Sequence, residues 1–131
     1  MKSYYILPKT LLDNVKVAAL NFHPSSPNYP GSGCLNWALY NNEDKTGITV
    51  HRLNEKIDNG QIIKAYDVPI FENDNIETLI PRVHMKQLEA FYDIVTTISQ
   101  NDPVVLDIVA ARTANKNIKW GTKTGKIKEI D

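Results

Sequence analysis

The sequence predicts an α/β domain built on a small sheet of three to four strands with flanking helices, and three observations carry that expectation. Residues 16–22 (KVAALNF) form a nearly continuous apolar run, the pattern of a strand covered on both faces. Residues 47–53 (GITVHRL) alternate instead, setting Ile48 and Val50 against Thr49 and His51. Residues 76–98 place Ile76, Leu79, Ile80, Val83, Leu88, Phe91, Ile94, Val95 and Ile98 at helical spacing. At 131 residues the chain is long enough for one core and too short for two.

The elements follow in order. Residues 4–15 read as a short helix, with Pro8 suited to a first turn and Leu11, Leu12 and Val15 on one side. The 16–22 strand is stopped by Pro24. Pro27, Pro30, Gly31 and Gly33 then make a loop that no helix or strand could cross. Residues 34–40 return to helical spacing through Leu35, Ala38 and Leu39, and the polar turn Asn41-Asn42-Glu43-Asp44 ends them. Strand 47–53 leads into the loop 54–60, whose Asn59-Gly60 ending tolerates positive φ. Residues 61–68 (QIIKAYDV) supply a further strand. Asp74-Asn75-Ile76-Glu77 predicts a capping box in which Asp74 satisfies the Glu77 amide. The long helix that follows contains Pro81, which should kink or restart it. After Asn101-Asp102-Pro103 come a short apolar run, 104–110, and a basic tail.

Composition narrows the class. With 42% apolar and 23% charged residues the chain matches globular averages, which excludes disorder and coiled coil. A formal charge of zero argues against a surface wholly adapted to nucleic acid. A lone cysteine, Cys34, excludes an internal disulfide framework. No apolar run reaches membrane-spanning length and MKSYYILPK lacks a signal-peptide core, so a cytoplasmic location is expected. Charge is uneven, however: Arg112, Lys116, Lys119, Lys123, Lys126 and Lys128 follow one another with no carboxylate between them. Such a run is either a solvated face or a guide for a phosphate-bearing partner.

Asn21 and His23 are the first candidates for chemistry. Two apart on a strand, they project to one face, roughly 6.5 Å from each other. They lie where the strand ends, and open α/β sheets bind ligands beyond the carboxyl ends of their strands. An amide donor beside an imidazole suits acyl transfer. The plainer alternative is that Asn21 caps the loop and His23 bonds a loop carbonyl. His51 and His84 read as ordinary, partly exposed histidines. The three histidines lack HxH or HExxH spacing, so no metal site is expected. Cys34 opens a helix, which would lower a thiol pKa, but small buried cysteines are common.

The stretch NFHPSSPNYPGSG followed by LNWALYNNEDKTGITVHRLNEKIDNGQII resembles the 10-formyltetrahydrofolate-dependent formyltransferase family, which includes methionyl-tRNA, glycinamide ribonucleotide and sugar N-formyltransferases. Four motifs in order carry the likeness: Asn21-Phe22-His23-Pro24-Ser25, Pro27 to Gly31, Thr46-Gly47-Ile48-Thr49 and Asp58-Asn59-Gly60. It runs from about residue 4 to residue 98, and Asn117-Ile118-Lys119-Trp120 looks like a degraded Gly-x-Ile-Asp-Trp segment. The resemblance implies a Rossmann-like formyltransferase sheet and 10-formyltetrahydrofolate as formyl donor. Asn21 would polarise the formyl oxygen, His23 would stabilise the oxyanion and move protons, and Asp58 would orient the imidazole and assist deprotonation of the amine. Asn54, Glu55, Lys56 and Ile57 would line the folate pocket.

The resemblance also implies that the chain carries only the second half of the catalytic domain, over residues 1–102, with an extension over 103–131. Uncovered sheet edges would then favour a homodimer. The implied activity is formyl transfer to a primary amine, on a nucleotide-linked amino sugar in preference to a tRNA. The competing reading is an inactive remnant that serves as a binding module.

Overall fold

The computed structural model describes residues 18–30, 33–53, 60–102 and 104–121, and within them three strands pair as an antiparallel meander. Strand β1 (Leu20–His23) pairs with β2 (Lys45–Arg52), and β2 with β3 (Ile62–Pro69). Three helices accompany them: α1 (Cys34–Tyr40), α2 (Ile76–Gln100) and α3 (Val105–Asn115). The chain is therefore α/β, as expected. The helix expected over residues 4–15 lies outside the described residues, as does most of loop 54–60.

Strand β2 is central, and burial follows from its position. Thr46 to His51 are buried without interruption, so both faces are covered although their chemistry differs. Ile48 and Val50 join Ile63, Val68, Leu79, Val83, Ala90, Ile94, Leu106 and Ala110 in the main core, with α2 supplying one apolar stripe. Helix α3, a short apolar run in the sequence, docks on β3, where the Thr113 hydroxyl donates to the Ile63 carbonyl at 2.7 Å. Gly47 allows the close approach of β2 and β3, since a Cβ there would lie 1.9 Å from the Tyr66 carbonyl oxygen.

Two local expectations are corrected. Asn75, not Asp74, is the N-cap of α2: its side chain accepts from the Thr78 amide at 3.1 Å, and the Thr78 hydroxyl accepts from the Asn75 amide at 3.0 Å. Asp74 instead accepts from the Phe71 amide, the Thr78 hydroxyl and, twice, the Arg82 guanidinium. The bidentate pair is stronger than a single amide contact, and with the Phe71 bond it holds the Asp74 carboxyl far below the usual carboxylate range. Pro81 does not restart the helix. It stands early in α2, where only the Glu77 carbonyl loses a partner, and the helix runs on to Gln100.

On the outer side, α2 leaves Met85, Leu88, Phe91, Tyr92 and Val95 exposed. Beside β1 a shallow groove of about 290 Å³ is lined by Phe22, His84, Gln87, Leu88 and Phe91. Gln87 donates to the Phe22 carbonyl across it at 2.6 Å.

Candidate active site

The polar face of β1 and β2 gathers the candidate residues. Register places Asn21 opposite His51 and His23 opposite Thr49, so all four share one side of the sheet. A register irregularity between Val50 and His51 sets His51 against Ile62. The extra residue is Ile63, on β3, so the bulge lies in that strand. His51, paired with Asn21 on β1, is buried to 1% exposure, which corrects the expectation of a partly exposed histidine. His84, on the outer face of α2, is exposed as expected.

His23 is also buried, at 4% exposure. Its Nε2 lies 2.8 Å from the Tyr29 carbonyl oxygen. A carbonyl only accepts, so this nitrogen carries the proton. The plainer alternative thus describes one of the two candidate side chains: His23 does bond a loop carbonyl, whereas Asn21 bonds His51 at 3.2 Å. Tyr29 can hold His23 because it is itself fixed. Its ring is buried, its hydroxyl donates to Glu43 at 2.7 Å, and Asn41 donates back at 3.1 Å.

The loop after Pro24 is tied to the same face. Thr49 donates to the Ser25 carbonyl at 2.8 Å, and the Ser25 amide bonds the His23 carbonyl at 2.9 Å. Cys34 is buried with its thiol against the Pro24 carbonyl at 3.8 Å, the environment of a small core residue.

A residue from beyond the long helix completes the cluster. Helix α3 ends in a Schellman turn: the Asn117 amide bonds the Ala114 carbonyl, the Ile118 amide bonds that of Thr113, and Asn117 takes a left-handed φ of 60°. The turn sends the chain back over the sheet. There the Trp120 ring meets His51 edge-to-face at 5.0 Å and His23 at 6.0 Å, and its indole N–H donates to the Gly60 carbonyl at 2.7 Å. The Gly121 amide then bonds the Pro27 carbonyl at 2.8 Å. A Cβ on Gly121 would lie 2.7 Å from the Asn28 Cα, so only glycine fits this crossing.

Sequence spacing had joined Asn21 and His23 but missed His51 and Trp120. The signal for His51 was weak, because it needed the cross-strand register. For Trp120 it was the Asn117 turn residue, which tolerates the left-handed region. Asn54, Glu55, Lys56, Ile57 and Asp58 lie outside the described residues. Among the described residues no group of three or more histidine, cysteine or carboxylate side chains is placed to hold a metal.

An amide donor bonded to one imidazole, on a sheet face it shares with a second, with an indole packed against both rings, is an arrangement able to stabilise an oxyanion and exchange protons. Comparison with known proteins agrees with that class. Residues 2–95 match the family model described as formyl transferase. The chain is 32% identical over 116 residues to a methionyl-tRNA formyltransferase of Ehrlichia canis (strain Jake), a match covering 88% of this chain and 38% of that one. It superposes with a TM-score of 0.65 and 27% identity on a phosphoribosylglycinamide formyltransferase from Streptococcus pneumoniae TIGR4, covering 72% of this chain and 53% of that structure. A similar superposition, with a TM-score of 0.65 and 26% identity, covers 73% of this chain and 51% of the formyltransferase PseJ from Anoxybacillus kamchatkensis. That structure is a complex with UDP-4,6-dideoxy-4-formamido-L-AltNAc and tetrahydrofolate. The chain belongs to the formyltransferase family. It spans well under half the length of the curated relative and about half of each solved structure.

Proposed function

We propose that the chain contributes to transfer of a formyl group from 10-formyltetrahydrofolate to a primary amine. The observation that carries this reading is the convergence of the Asn21 amide and the His23 imidazole on one face of the strand pair. In the proposed step the amine nitrogen attacks the formyl carbon, a new C–N bond forms, and the bond from that carbon to the folate nitrogen breaks. The amine gives up a proton and the leaving nitrogen gains one. Asn21 donates to the formyl oxygen as it becomes an oxyanion, a contribution commonly worth about 3 kcal/mol in barrier. His23 Nε2 is engaged by Tyr29, so proton exchange is assigned to Nδ1. Asp58 is assigned to orient that imidazole and favour its charged form.

A nucleotide-linked amino sugar is the acceptor we favour. The loop HPSSPNYPGSG resembles those of sugar-type members, and the exposed Arg112, Lys116 and Lys119 could meet a diphosphate. The competing reading is a binding module without turnover, and the hydrogen bond that ties the His23 Nε2 to the Tyr29 carbonyl is what favours it.

Single-turnover assays with 10-formyltetrahydrofolate test the proposal, using an amino-sugar nucleotide, glycinamide ribonucleotide and methionyl-tRNA as acceptors. Formylation of one acceptor, abolished by His23→Ala, is the expected result. Folate binding without transfer to any acceptor would leave the module reading in its place.

A further inference from the structure

We propose that His51 and Trp120 are positioning residues that fix which end of the Asn21 amide faces the reacting oxygen. The inference rests on the formyl-transfer reading for its chemical meaning and on geometry alone for its arrangement.

His51 Nδ1 lies 3.0 Å from the Arg52 carbonyl oxygen, which can only accept, so Nδ1 carries a proton. In the neutral ring Nε2 is then a lone pair. Asn21 must direct its Nδ2 at that lone pair, because its own oxygen there would set two acceptors against each other at 3.2 Å. The amide nitrogen is thereby held on the shared face of the sheet. Rotated by half a turn, the amide would offer an oxygen where a donor is needed, and the oxyanion would meet repulsion in place of a hydrogen bond.

Backbone carbonyls thus fix a proton at opposite nitrogens of the two buried imidazoles, Nδ1 in His51 and Nε2 in His23. Trp120 packs against both rings and limits their rotation. Its anchor, Gly60, is coupled to the same relay. A Cβ on Gly60 would lie 1.7 Å from the Arg52 oxygen that receives the His51 proton. Glycine at position 60 thus keeps that acceptor open while its own carbonyl holds the indole.

The test uses the full chain, isotope-labelled, with no substrate. Long-range proton–nitrogen spectra should show His51 protonated at Nδ1, and His51 protonated at Nε2 instead overturns the proposal. In Trp120→Ala the ring resonances of both histidines should shift and the His51 tautomer preference should be lost, while the Ile48 and Val50 methyls hold their positions. Unchanged histidine resonances in a folded Trp120→Ala chain would remove Trp120 from the account. Turnover gives the independent arm. His51→Gln can still accept from Asn21 and should keep most of kcat, whereas His51→Leu should lower kcat at least about tenfold with KM retained. Equal loss in both variants overturns a role through Asn21. The tautomer pattern in a chain that fails to turn over supports the positioning arrangement and counts against the formyl-transfer reading alone.

Discussion

The two sides of β2 solve different problems with alternating residues of one strand. Ile48 and Val50 face α2 and need only shape and apolar surface, which many side chains could supply. Thr49 and His51 face Asn21, His23 and Ser25, and being buried they need a specific partner for each polar atom. The apolar side is held by many small contacts and the polar side by a few directed bonds to backbone carbonyls. Damage to the first should cost stability broadly, whereas damage to the second should disturb one site.

Substitutions can break this contrast in order of effect. Ile48→Ala, at a position with no exposure, should lose about 2–5 kcal/mol in denaturant unfolding, through lost transfer energy and a residual cavity. A loss below about 1 kcal/mol would mean the core there collapses freely. Gly60→Ala should cost about 1–3 kcal/mol, because the new Cβ meets the Arg52 backbone oxygen, and should also weaken the Trp120 anchor. Its signature is reduced protection of Trp120 from a fluorescence quencher; normal protection would separate Gly60 from the site. Thr49→Val preserves volume and removes the bond to the Ser25 carbonyl, so about 1–3 kcal/mol should disappear without cavity formation.

The smallest effect sharpens the comparison from outside both faces. The Asp74 carboxyl is lowered chiefly by the Arg82 hydrogen bond, so its contribution is in full above the unfolded value near pH ~3.9. It is lost as pH falls through the lower folded value. Asp74→Asn should flatten that acid dependence of urea midpoints and leave the histidine resonances untouched. A slope as steep as the parent's would assign the acid sensitivity elsewhere. Asp93 is a second candidate, since Lys64 and then Tyr66 hold its carboxyl below the usual range through hydrogen bonds, while burial and Asp93 push the Tyr66 hydroxyl up.

What sequence revealed divides along the same line. The apolar positions of β2 and α2 were legible because burial imposes a period of two on a strand and 3.6 on a helix. Asn21 and His23 were legible as a pair for the same reason. His51 was misjudged because its role depends on the pairing of β1 with β2, which leaves no local pattern. The N-cap fell one residue late because Asp74 had a stronger partner in Arg82, eight positions away. Trp120 joins the site through a chain reversal after α3, and spacing within an element cannot report contacts between elements that distant.

The most direct test is titration of the labelled chain with tetrahydrofolate, followed by two-dimensional spectra of both sides of β2. Perturbations should gather at Asn21, His23, His51 and Trp120, with the Ile48 and Val50 methyls unmoved. Perturbations confined to the apolar side, or saturable binding that leaves the two histidines unchanged, would contradict the assignment of the polar face as the reacting one.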